Sequence, residues 1–142
     1  MLKKWSYHPL KECYKLESAR LKLRSMQDLK LRTKKFAVEC WKFCKQVPRS
    51  RELDAWARQL IRSSSSVGAN YRASQRAKST ADFINKLKIV EEEVDESAYW
   101  LELFMEVNEG ECQQTAILHK EAKELLAIVV SSINTSRKNN KK

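Results

Sequence analysis

Hydrophobic positions along the chain repeat with a helical period. The first clear series is Leu29, Thr33, Phe36, Cys40, Phe43 and Val47, spaced alternately four and three residues apart. Pro48 disfavours helical backbone in the residue before it, so this helix is predicted to stop near Gln46. A second helix starts near Glu52. A rotation of about 100° per residue puts Leu53, Trp56, Ala57, Leu60, Ser63, Ser64, Val67, Gly68 and Tyr71 on one broad side. The opposite side collects Arg58, Arg62, Ser65, Ala69, Arg72 and Arg76.

Ser79-Thr80-Ala81-Asp82 has the spacing of a capping box and sets the start of a third helix. Phe83, Leu87, Val90, Val94, Ala98, Leu101 and Met105 form its seam, and Glu91, Glu92, Glu93, Asp95 and Glu96 lie on its outer side. Asn108 and Gly110 suit a left-handed C-cap. The fourth helix runs from about Glu111, with Leu118, Ala122, Leu125, Val129 and Ser132 on one face and Ile117, Glu121 and Ile128 beside it. The pattern predicts an all-α protein: an antiparallel, up-down-up-down four-helix bundle over residues 26–135. A basic extension, loosely ordered or partly helical, precedes it at residues 1–25, and a disordered basic tail follows at 136–142. Helices of this length make a rod, whose flanks offer surface for self-association.

The run RSSSSVGANYRASQRAK, residues 62–78, looks at first like a linker or a phosphate-cradling loop. Its two faces stay in phase with Leu60, Val67 and Tyr71, which a linker would not do. It also lacks the GxxxxGK[ST] pattern and a preceding strand. It is therefore read as helix, with small side chains that let a neighbour approach closely. Gly68 costs about 1 kcal/mol against alanine there, which a crowded contact would justify.

Composition supports the helical reading. Only 2 glycines and 2 prolines occur in 142 residues, too few for the many tight turns of a β-rich fold. No apolar run reaches the roughly 20 residues of a membrane span, and the start lacks the apolar core of a signal peptide, so a cytoplasmic protein is expected. The four cysteines, Cys13, Cys40, Cys44 and Cys112, form no CxxC pair and are read as reduced thiols.

Charge changes the picture more. The net charge is +10, with 14 basic and 4 acidic side chains in residues 1–50 but 2 basic and 9 acidic in residues 81–110. Such a basic excess points to an anionic partner, of which nucleic acid is the commonest.

The segment from Met26 to Ile133 resembles the four-helix-bundle proteins encoded within intervening sequences of bacterial 23S ribosomal RNA genes. That family is related in fold to the accessory variability determinant of diversity-generating retroelements. LKLRTKKFAVECWKFCKQVP carries the resemblance, together with the stretch from Ala57 to Phe104, in which Gln59, Leu60, Arg62, Ser66, Asn70, Ser79 and Phe83 match the family's pattern. Ala73-Ser74 stands where many members have Glu-Gly. The resemblance implies a homopentameric barrel with basic surface patches, and the retroelement relatives use such patches to engage a reverse transcriptase and nucleic acid. It supplies no catalytic residue.

The sharpest candidate site is Arg58, Arg62, Arg72 and Arg76 with Lys78. Guanidinium groups present a planar fork of donors to phosphate and could follow an RNA or DNA backbone without reading bases. The same stripe could instead pair with the acidic face of a neighbouring third helix, or simply be solvated. Residues 1–25, with Trp5, Tyr7 and Tyr14 among many basic side chains, read either as a nucleic-acid-binding arm or as an extension from an upstream start. The consecutive carboxylates at 91–96 fan around their helix, and no Glu-x-x-His occurs, so no metal or other cofactor is expected. No nucleophile sits in a catalytic pattern, and Trp41, Trp56, Tyr99 and Trp100 read as core or subunit interface before base-stacking platform. The expectation is a non-enzymatic protein that binds nucleic acid, or a structural module that assembles with itself and docks a partner protein.

Overall fold

A computed structural model of the chain describes the backbone of residues 9–107 and 112–141, and side chains over 28–107 and 113–141. The expected cap at Asn108 and Gly110, the tip of the basic extension with Trp5, Tyr7 and His8, and the side chains of Tyr14, Cys13 and Cys112 lie outside the described residues.

Four helices make up the described fold: α1 (Pro9–Gln46), α2 (Arg51–Ser74), α3 (Thr80–Glu106) and α4 (Cys112–Asn139). The chain's two prolines bound α1. Pro9 occupies its first position, where a missing N–H costs nothing, and Pro48 follows its end. No glycine or proline interrupts the residues between them, so the helix starts well before Met26. At about 1.5 Å per residue its 38 residues exceed the reach of its partners, which have 24 to 28.

Hydroxyl caps begin the next two helices. Ser50 is extended (φ −151°, ψ 158°), and its Oγ accepts from the Leu53 N–H at 3.1 Å. Ser79 repeats the device (φ −157°, ψ 168°), accepting from the Asp82 N–H at 3.1 Å. Asp82 reaches back one residue further than in a capping box, taking the Lys78 N–H at 2.9 Å.

Each helix packs on its sequence neighbours, and α1 also meets α4, which closes a ring of four around one core. The predicted seams supply that core, with two exchanges at their ends. Phe104, fully buried, replaces the partly exposed Met105, and buried Ile133 replaces the half-buried Ser132. In each case the larger or more apolar of two adjacent residues turns inward. Phe104 stands edge-on to Phe43 (5.3 Å between centroids) and to Trp56 (5.8 Å), so one ring joins α1, α2 and α3. Burying a side chain of this size stabilises by about 1.5–3 kcal/mol before the aromatic contacts are counted.

The serine run is helical, as its phase predicts. Ser63 and Ser64 are fully buried. Ser97 Oγ of α3 lies 2.8 Å from Ser63 Oγ and 2.8 Å from the Glu93 carbonyl, so the hydroxyls are satisfied where the two helices meet. Gly68 departs from expectation. It faces Thr33 and Lys34 of α1, but an added Cβ would lie 3.5 Å from Thr33 Oγ1 and 3.6 Å from its carbonyl carbon, which is ordinary contact rather than a clash. The C-terminal tail also differs: the expected disorder from residue 136 gives way to helix as far as Asn139, because nothing between Ile133 and that point breaks the helix.

Candidate nucleic-acid interface

The basic side of α2 is exposed as the wheel predicts, but its five candidates have different surroundings. Arg58 and Arg72 project from the helix, and Arg72 lies in its last turn. The helix stops at Ser74, where the Gln75 N–H still bonds to the Tyr71 carbonyl. Arg76 and Lys78 therefore leave the stripe and sit on the α2–α3 turn. Among the described residues no carboxylate forms an ion pair with Arg58, Arg72 or Arg76.

Arg62 is held by its own chain. Its guanidinium hydrogen-bonds Glu96 and lies 3.4 Å from the Glu93 carboxylate, both on α3. Gln59 accepts from its Nε at 3.2 Å, and the Trp100 indole N–H donates to Glu96 at 3.0 Å. The Glu96 bond, then the Glu93 charge, raise the Arg62 pKa above its ordinary value. In return the Arg62 bond holds Glu96 below the usual carboxylate range, outweighing partial burial. The acidic side of α3 thus meets the arginine stripe within one chain, at a single position. A matching clasp ties α1 to α4: Arg32 Nε donates to Glu121 at 2.6 Å, and its Nη2 bonds Glu121 at 2.9 Å and also Glu124. Sequence reading missed Arg32. The available signal was the i, i+3 pair Glu121 and Glu124 beside an apolar seam.

With Arg62 engaged, the remaining candidates fall into two patches. At one end Arg58 lies near Lys45, in the last turn of α1, and Arg49, in the connection that follows it, around a shallow groove of about 310 Å³. Arg49 is itself paired to Asp54 at 3.1 Å. At the other end Arg72, Arg76 and Lys78 cluster around the α2–α3 turn. Arg58 and Arg72 are 14 residues apart, about 21 Å along the helix. Near the second patch Asp82 is held below the usual carboxylate range, mainly by Lys86 (2.6 Å) and by the Lys78 N–H. A larger cleft of about 720 Å³, lined by Tyr71, Ser74, Thr80, Phe83, Ser132 and Ser136 among others, is hydroxyl-rich and carries no charged side chain.

The other chemistry-bearing residues do not converge. Glu91 pairs with Lys88 at 3.0 Å, Glu92 and Asp95 are exposed, and no group of three or more potential metal ligands occurs among the described residues. Cys40 and Cys44 are buried free thiols. Desolvation raises both pKa values, that of Cys44 to about 12, which suppresses the reactive thiolate. His119 lies 2.8 Å from Glu102 on the surface. No described helix is long and apolar enough to cross a membrane.

The model of the 23S rRNA-intervening sequence protein family matches residues 27–131, which takes in α2, α3, about half of α1 and most of α4. The chain belongs to this family. A crystal structure from Bacteroides thetaiotaomicron, a protein of unknown function from the S23 ribosomal protein family, is 32% identical with a TM-score of 0.69. The similarity covers 74% of this chain and 97% of that one. No curated protein matches. The family's matched span leaves the first part of α1 outside it. It includes every candidate on α2 and the α2–α3 turn, so the basic patches belong to the shared bundle rather than to an appended segment.

Proposed function

We infer that this 23S rRNA-intervening sequence protein is a non-enzymatic, self-assembling bundle that binds RNA or DNA through phosphate contacts. Arg58 at one end and Arg72, Arg76 and Lys78 at the other provide those contacts, while Arg62 braces α2 against α3. The observation that carries the reading is the lack of ion-pair partners for Arg58, Arg72 and Arg76 among the described residues. Three unpaired arginines on a chain with net charge +10 form a surface complementary to a polyanion. The bundle is antiparallel. Support comes from the hydroxyl-rich cleft, where the end of α2, the start of α3 and the end of α4 meet.

Assembly as a homopentameric barrel and engagement of a reverse transcriptase in the cytoplasm extend the same proposal by family resemblance. Titrating the protein with structured RNA, single-stranded DNA and duplex DNA across a salt series tests it. Binding that weakens steeply with salt is expected, and absence of binding at low salt overturns it.

A second reading, a module for self-assembly and protein docking, draws on the exposed apolar side chains Leu31 (66% exposed), Ile117 (56%) and Tyr99 (51%) on three different helices. Sedimentation velocity across protein concentrations, with Leu31 and Ile117 changed to serine, separates that role from nucleic-acid binding.

A further inference from the structure

The groove between the end of α1 and the start of α2 contains a large aromatic ring where a solvated helix face would have none. Trp41 is 51% exposed and lies among the lysines of α1, with Lys42 beside it and Lys34, Lys35 and Lys45 within two turns. Lys45 Nζ sits 5.4 Å from the centre of its ring, at cation–π distance. Across the groove stand Arg58 and Ile61 of α2, and Arg49 and Asp54 neutralise each other. Among the charged side chains that line the groove, those left uncompensated are therefore Lys45 and Arg58. Both are positive, and neither is paired among the described residues.

We propose that this groove is a stacking site for an unpaired nucleotide of RNA or DNA, with the base against Trp41 and the flanking phosphates on Lys45 and Arg58. An exposed indole beside two free cations combines the two parts that single-strand binding requires, a π-surface for the base and a cationic track for the backbone. A base inside a duplex has both faces covered by its neighbours, so it cannot use Trp41. The site therefore favours single strands over duplex. An apolar protein partner would bury Lys45 and Arg58 without compensation, which makes such a partner the weaker fit. The proposal rests on the nucleic-acid reading above and narrows it, since phosphate contacts alone carry no preference for unpaired bases.

The test compares the full-length protein with Trp41→Ala and Trp41→Phe by fluorescence polarization. The probes are a labelled single-stranded RNA, the matching single-stranded DNA and the same sequence as duplex, each about 12 nucleotides, within the usual span of such sites. Stacking on an aromatic side chain strengthens binding enough that Trp41→Ala is expected to weaken single-strand affinity roughly 5- to 150-fold. It is expected to leave duplex affinity and the salt slope unchanged, and Trp41→Phe to recover most of the loss.

Equal loss on duplex and single strand, or no loss on either, overturns the stacking site while leaving phosphate binding intact. Dissociation of the oligomer by Trp41→Ala, seen in sedimentation velocity, assigns the ring to a contact between copies and also overturns it. Failure of the unmodified protein to bind any probe at low salt removes the broader reading instead, so the two failures are distinguishable.

Discussion

Replacing Gly68 with alanine is expected to stabilise the protein. Glycine in the middle of a 24-residue helix costs about 0.8–1.0 kcal/mol relative to alanine, because the unfolded chain has more backbone freedom to lose. That penalty persists in natural helices where a Cβ would collide with a neighbour, and no collision occurs here. The added carbon would meet Thr33 Oγ1 at 3.5 Å, the Thr33 carbonyl carbon at 3.6 Å and the Lys34 nitrogen at 3.7 Å, all ordinary van der Waals separations. The methyl thus gains contact on the α1 side, and the propensity term stands undiminished at about 1 kcal/mol. For a chain of 142 residues this raises Tm by about 3–5 °C, measured by calorimetry at fixed protomer concentration. Gly68→Val provides the internal control. Its two further methyls have to enter the Thr33 contact, and overpacking of that kind costs about 1–3 kcal/mol, more than valine's small propensity advantage. A fall in Tm for the alanine variant would refute the reasoning, because α1 and α2 would then have to lie closer than these distances allow.

Three further outcomes follow from the same packing. Ser63→Ala and Ser97→Ala should each destabilise by about 0.5–1.5 kcal/mol, since the hydroxyl left behind keeps a backbone acceptor (the Glu93 carbonyl for Ser97, the Leu60 carbonyl for Ser63), and the double variant should cost less than their sum, because both single changes remove the same Ser97–Ser63 bond; urea denaturation of the four proteins completes the cycle. Glu96 has a folded pKa below its unfolded one, so its contribution to stability is full above the ordinary glutamate pKa of about 4.3 and disappears as pH falls through the lower folded value; Glu96→Gln should flatten the acid limb of a pH–Tm profile, and salt at about 1 M should shrink it. Peptide mapping after iodoacetamide treatment at about pH 8 should find Cys40 and Cys44 unmodified in the folded protein and alkylated in guanidinium, since burial keeps both as thiols.

Periodicity alone makes most of the bundle readable. The seam from Phe36 to Val47 and the seam from Leu87 to Leu101 are core, and Ser79 caps its helix, because these features depend on residues close in sequence. Choices between adjacent residues are harder. Met105 and Phe104 both fit the phase of α3, and only the rings of Phe43 and Trp56, from two other helices, decide in favour of Phe104. The basic stripe is legible as a row but not as a site. Whether an arginine is free depends on what the next helix presents opposite it, and Glu93 and Glu96 stand opposite Arg62 alone. The end of α2 at Ser74, with no glycine or proline to mark it, removes Arg76 from the row. Trp41 fits a core or interface reading by phase, and only its exposure and its approach to Lys45 set it apart.

The salt dependence of nucleic-acid binding tests the division of labour among these arginines most directly. Removing one phosphate-binding cation should reduce the slope of log K against log salt by about 0.7 for a single strand and about 0.9 for a duplex. Changing Arg58, Arg72, Arg76 and Lys78 together to alanine should therefore flatten the slope by roughly 3, with the sedimentation behaviour of the protein unchanged. Arg62→Ala should leave the slope unchanged, because its charge is already paired to Glu96 and Glu93. An unchanged slope in the fourfold variant, or a reduction in Arg62→Ala as large as for any other arginine, would contradict the account.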